Sequence, residues 1–117
     1  MVDLDTARRL ALALPGAQDS SSEGLTRFEV GGKGFAWAYL ARAAPKARRL
    51  PRPGVLAVRC RLERKVMLIA AAPERFFDDD HYRGYPAVLV RLAEVDEAEL
   101  AALLQDAWRL TARVWAE

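Results

Sequence analysis

The chain reads as an α+β domain, a mainly antiparallel sheet covered on one side by its N- and C-terminal helices. Three observations predict this. The stretch from Phe28 to Leu40 sets two period-2 segments around Gly31-Gly32-Lys33-Gly34, the pattern of a β-hairpin. Apolar residues recur at helical spacing near both ends of the chain. Two further alternating runs, 55–61 and 87–92, supply more strands with a helix-compatible segment between them. A chain of 117 residues without internal repeats forms one domain, residues 1–117, around a single core.

In chain order, residues 3–14 form an amphipathic helix, capped by Asp3 or Asp5, with Leu4, Ala7, Leu10, Ala11 and Leu14 on one stripe. Pro15-Gly16 ends it. Residues 18–24 are a polar, serine-rich connection. Hairpin strands follow at roughly 25–30 and 35–40. With Gly31 to Gly34 as the loop, Val30 faces Phe35, Phe28 faces Trp37 and Thr26 faces Tyr39. Phe28, Val30, Phe35, Trp37 and Tyr39 then share one face, and Arg27, Glu29, Ala36 and Ala38 the other.

Pro45, Pro51 and Pro53 make residues 41–53 mostly an exposed basic loop, with room for a short strand inside it. The 55–61 strand turns Leu56, Val58 and Cys60 inward and Ala57, Arg59 and Arg61 outward. Residues 62–72 are read as a helix with Leu62, Val66, Ile69 and Ala70 on its inner side. Residues 73–77 are a turn and 78–86 a loop. In the 87–92 strand Val88, Val90 and Leu92 point inward, and Arg91 lies beside Arg59 and Arg61 if the two strands are neighbours. Asp96 and Glu99 form a capping box for the last helix. Leu100, Leu103, Leu104, Ala107, Trp108, Thr111 and Trp115 make its apolar face.

Composition narrows the class. No run approaches the roughly 18 apolar residues of a membrane-spanning helix. Asp3 and Asp5 stand where a signal peptide would be basic, so a cytoplasmic protein without membrane association is expected. Cys60 is the only cysteine, which leaves no disulfide framework and no zinc-finger spacing. The net charge of +2 is too small to argue for nucleic acid, but its distribution is uneven. From Arg42 to Lys65 the one acid, Glu63, stands among nine basic residues, while Glu94, Asp96, Glu97 and Glu99 open the last helix. A basic surface of that kind gains affinity for a phosphate backbone by displacing condensed counterions.

Other candidate sites have plainer readings. Phe35, Trp37 and Tyr39 are expected to be core, not a base-stacking platform. Asp78-Asp79-Asp80-His81 is a solvated acidic loop, because its groups lie on one segment with no second ligand cluster, and no nucleophile is spaced for His81. No catalytic residue, metal or cofactor is therefore assigned. His81, Tyr82 and Tyr85, with Pro86, are candidates for the lip of a pocket. Cys60 is expected to be a buried structural thiol.

Several segments carry a family likeness: Leu14-Pro15-Gly16, F-E-V-G-G-K-G-F-A at 28–36, A-A-A-P-E-R-F-F at 70–77, H-Y-R-G-Y-P-A-V-L-V-R-L at 81–92, and the E-L…A-W-R-L run of the last helix. In this order and spacing the chain resembles the MmcQ/YjbR family of small bacterial proteins. The resemblance implies a CyaY-like fold and a DNA-binding role through a double wing of strands. Arg83 departs from it, standing where members often carry Asp or Asn. A frataxin-like iron role would want an acidic helix face, and the first helix offers only Asp3 and Asp5.

Residues and resemblance together predict a non-enzymatic, monomeric DNA-binding protein. Its phosphate contacts come from Lys33 at the hairpin tip and from Lys46, Arg48, Arg49, Arg59 and Arg61, holding the backbone with little base specificity. The alternative is a protein-interaction or small-ligand-binding module of the same fold without a nucleic-acid role. An enzyme built on His81 and Asp80 ranks last.

Overall fold

The computed structural model describes residues 2–42 and 46–116; Arg42, Pro53 and residues 113–116 are described through their backbone alone. Helix α1 (Leu4–Leu12) starts where Asp3 accepts a hydrogen bond from the Thr6 N–H at 2.8 Å. Strands β1 (Ala17–Asp19), β2 (Arg27–Val30), β3 (Lys33–Arg42) and β4 (Arg49–Arg59) follow. Helix α2 (Leu62–Ala71) then leads to β5 (Phe76–Phe77), β6 (Ala87–Arg91) and the long α3 (Glu97–Ala116). The six strands form one antiparallel sheet in the order β1-β2-β3-β4-β6-β5. The expected α+β architecture, with α1 and α3 on one sheet face, is what the chain adopts. Phe28, Phe35, Leu56, Val58, Val88 and Val90 pack there against Ala7, Ala11, Leu100, Leu104 and Ala107. Asp96 accepts from the Glu99 N–H at 2.7 Å, so the predicted cap begins α3. The side chain of Trp115, expected on the apolar face of α3, lies outside the described residues.

The hairpin differs from its predicted register, and the difference builds the site. Its turn is only Gly31-Gly32, both at positive φ (60° and 79°), which suits the twist of the two strands. Lys33 and Gly34 belong to β3, where they pair with Val30 and Glu29. An irregularity then places Phe28 opposite Ala36 and Arg27 opposite Trp37. One extra residue in β3 makes Phe35 and Ala36 both face the helices and reverses the alternation beyond them. Trp37 and Tyr39 therefore stand on the opposite face of the sheet from Phe35, not beside it. They join a second cluster with Val55, Ala57, Tyr82, Ala87 and Leu89.

The basic segment also folds differently from its expected loop. Strand β4 begins at Arg49 and runs through Pro51 and Pro53; Pro45 lies outside the described residues. Leu40 pairs with Pro51 and Ala38 with Leu56, so four residues of β4 stand against Tyr39 alone. Pairing with β6 involves only Val55 to Arg59, which leaves the proline-bearing half of β4 at an open edge that needs no N–H donors on that side. Two short strands were not anticipated, β1 in the serine-rich connection and β5 in the 73–77 turn.

Helix α2 forms where expected, with Ile69 inward as expected but the rest of its inner face turned: Ala70 is exposed. Leu62, Val66 and Met67 are exposed, while Lys65 is buried and Leu68 and Ile69 pack against the core. Lys65, Leu68, Ile69 and Ala72 have the i, i+3, i+4, i+7 spacing of an inward stripe.

Candidate functional site: an arginine and aromatic cleft

The face of the sheet away from α1 and α3 is partly roofed by residues 78–86. Buried Lys65 anchors this segment. Its Nζ donates to the carbonyl oxygens of Tyr82 (2.7 Å) and Tyr85 (3.0 Å) and pairs with Asp78 at 3.0 Å. Asp79 accepts from the Tyr39 hydroxyl at 2.5 Å and from the Tyr82 N–H at 2.9 Å. Tyr82 in turn accepts a hydrogen bond from the Trp37 indole at 2.9 Å. Only Asp80 of the three consecutive acids is exposed, pairing with Arg83 at 2.6 Å. The acidic run is thus mostly a set of internal fastenings, not a solvated loop.

These contacts shift the ionisation of the groups they bury. Burial, reinforced by the hydrogen bond to Asp79, pushes the Tyr39 hydroxyl up to about 12. Burial opposes a charge on Asp79, but the Tyr39 hydroxyl and the N–H groups of Tyr82 and His81 outweigh it and hold the carboxyl below its ordinary range. Burial also raises Tyr82, although the Trp37 hydrogen bond works the other way. Cys60 is buried, as expected, and burial lifts its thiol above the usual value despite Lys65 and Arg64 nearby.

Beside the roof the sheet stays open and forms a cleft of about 430 Å³, lined by Arg27, Trp37, Arg59, His81, Tyr82 and Tyr85. Neighbouring β2, β3 and β4 supply the floor, and the Lys65-anchored segment supplies one wall. The Arg59 guanidinium sits 5.3 Å from the centre of the Trp37 ring, and its Nε donates to the Gly34 carbonyl at 3.1 Å. Tyr85 meets Trp37 edge to face at 6.3 Å. Arg27 is tied to Glu29 at 2.5 Å and lies over Gly34, where a Cβ would come within 3.0 Å of the guanidinium. Gly34 thus leaves room for the second arginine.

The residues expected to line a pocket, His81, Tyr82 and Tyr85, are brought together here. The six expected phosphate contacts are not. Lys33 and Arg59 lie at the glycine-turn end of β3 and line a common cavity. Lys46, Arg48 and Arg49 lie at its other end. The ten residues of β3 separate these ends by about 30 Å. Lys46 and Arg48 are exposed, whereas Arg49 is half-buried and donates to the Leu40 carbonyl at 3.0 Å.

Arg61 does not share a strand face with Arg59. It has left β4, sits at the N-terminus of α2, and lines a separate cavity with Cys60, Arg64 and Arg109. Arg91 is likewise distant from Arg59, because antiparallel pairing sets it opposite Val55. Arg27 was missed as a site residue, and Trp37, weighed as a stacking surface and expected to be core, lines the cleft instead. The available signal was Gly34, since a glycine inside a strand marks a bulge or a close approach.

The overall fold is shared by a solved structure. Deinococcus radiodurans protein DR2400, a DUF419 domain, superposes with a TM-score of 0.73 at 21% identity, covering 97% of this chain and 80% of that one. At the sequence level the match extends to the family itself. Residues 12–110 match the YjbR family model, and the chain belongs to that family. Uncharacterized proteins of Mycobacterium tuberculosis (strain H37Rv) and Mycobacterium bovis are 48% identical to it over 48 residues, 41% of this chain. The match spans 37% of the length of those relatives.

Proposed function

We propose that this protein is a non-enzymatic binding module that takes a small, planar, anionic ligand in the cleft. The observation that carries the reading is the convergence of two guanidinium groups with Trp37, Tyr82, Tyr85 and His81 around one concavity of about 430 Å³. Arginine serves both parts of such a ligand, pairing with its charge through several N–H groups and stacking on planar surface. Tyr82 is held by Trp37 below and Lys65 behind, so the wall is organised before anything binds. His81 packs edge-on against Tyr82 at 5.2 Å, and among the described residues its ring makes no hydrogen bond to a nucleophile.

The test is the indole N–H resonance of Trp37 in labelled protein. Naphthoate is expected to move it in a saturable way, acetate is expected to leave it in place, and Arg59→Ala is expected to weaken the naphthoate response. A resonance indifferent to every aromatic anion would remove the proposal.

A second reading, contact with a DNA backbone, is favoured by the far end of β3. Lys46 and Arg48 are exposed there and enter no ion pair among the described residues. Duplex binding of this origin weakens steeply with added salt.

A further inference from the structure

We infer, resting on the cleft reading above, that the ligand is a nucleotide unit, with its base against Trp37 and Tyr85 and its phosphate at Lys33, Arg27 and Arg59. The cleft does not end at its arginines. Arg27 and Arg59 also line a second cavity of about 280 Å³, together with Gly32 of the turn, Lys33 and Gly34 at the start of β3, and Leu110 and Thr111 of α3. The two guanidinium groups therefore stand between an aromatic chamber and a cationic one.

The chambers differ in chemistry. Trp37, Tyr82 and Tyr85 offer ring surface in the first, where the Trp37 N–H is already spent on the Tyr82 hydroxyl oxygen. The second offers charge. Lys33 is exposed and enters no ion pair among the described residues. Arg59 uses its Nε on Gly34 and Arg27 its Nε on Glu29, so the terminal nitrogens of both remain for a ligand. Three cations face one carboxylate, Glu29, and the excess suits a dianion better than a singly charged group.

An aryl carboxylate carries its charge on the ring and fills only the first chamber. A ligand whose planar part and phosphate are joined by a spacer fills both, and the nucleotide unit is that ligand. The same chemistry is available from a free mononucleotide or from an unpaired nucleotide within a single strand.

Titration calorimetry with adenosine 5′-monophosphate, adenosine, naphthoate and a short oligodeoxyadenylate tests this. The monophosphate is expected to bind about tenfold or more tightly than adenosine, as charge-assisted hydrogen bonds to a phosphate require. Lys33→Ala, an exposed change that leaves the core intact, is expected to remove much of that difference and to leave naphthoate binding unaltered. An oligomer that matches the monophosphate per site assigns the unit to a single strand, and a weaker one assigns it to the free nucleotide. Equal affinities for monophosphate and adenosine, or a Lys33→Ala variant that keeps the full difference, would overturn the inference. Binding of naphthoate without binding of the monophosphate overturns it while sparing the cleft; failure of all four ligands overturns both.

Discussion

Lys65 is the residue on which the cleft wall depends. A buried ammonium is tolerated only when its donors are satisfied, and here two carbonyls and a carboxylate do so. Lys65→Met fills similar volume but leaves the Tyr82 and Tyr85 carbonyls and Asp78 without their donor. A loss of about 3 kcal/mol in urea unfolding is expected, against about 1 kcal/mol for Asp78→Asn, whose partner keeps its carbonyl contacts. The Tyr39–Asp79 bond makes a pH-dependent contribution of defined sign. With the Tyr39 hydroxyl pushed up to about 12, the folded state keeps a proton that the unfolded chain releases near pH 10. The stability from Tyr39 is thus complete below about pH 10 and is lost as the pH rises toward 12. Asp79 acts at the other extreme. Its depressed folded value means that its contribution is present above the ordinary aspartate range and is lost as acid protonates it in the fold. Tyr39→Phe is expected to flatten the alkaline limb, read as the midpoint of urea unfolding at a series of pH values.

At the scale of elements, two irregularities decide what faces what. The extra residue in β3 moves Trp37 and Tyr39 off the helix-covered face and supplies the cleft floor and the second apolar cluster. The four-against-one stretch around Tyr39 lets a proline-bearing strand join the sheet. Period-2 reasoning finds the strands but assumes unbroken alternation, so it could locate Phe28, Val30 and Phe35 correctly while placing Trp37 and Tyr39 on the wrong side. The helices were legible because caps and stripes are local. Asp3, Asp96 and the Leu100-Leu103-Leu104-Ala107 stripe behave as their spacing says. In α2 two stripes competed, and the inward one contains a lysine whose acceptors lie 17 and 20 residues further along the chain, beyond the reach of any periodicity. This assignment has a simple check. Val66 is 66% exposed, so Val66→Ser is expected to shift unfolding by no more than about 0.5 kcal/mol. A core valine at that position would cost several times as much.

Across the whole molecule, carboxylate pairing leaves the unpaired basic residues in separate regions. Arg8 pairs with Asp19, Arg9 with Glu97, Arg64 with Asp106 and Arg75 with Glu99, so much of the basic content is neutralised where it stands. Of the exposed or half-buried cations that enter no ion pair among the described residues, Lys33 and Arg59 lie at the glycine turn beside Arg27, and Lys46 and Arg48 lie at the other end of β3. Arg61 stands apart from both at the start of α2. Even from Trp37 to Arg42 the strand covers about 17 Å, two Debye lengths at physiological salt, so the far group barely influences the cleft. The two functional readings can therefore be separated within one protein. Lys46→Glu combined with Arg48→Glu is expected to change the affinity of a cleft ligand by less than about twofold at 0.15 M salt. If the far end holds a duplex backbone, the same pair of reversals abolishes DNA binding and flattens its salt dependence, because those side chains displace the counterions. Arg59→Ala is expected to do the opposite, weakening the cleft ligand and leaving any duplex binding nearly intact. A single variant that removed both activities together would mean that the two groups act as one surface, which their separation along β3 opposes.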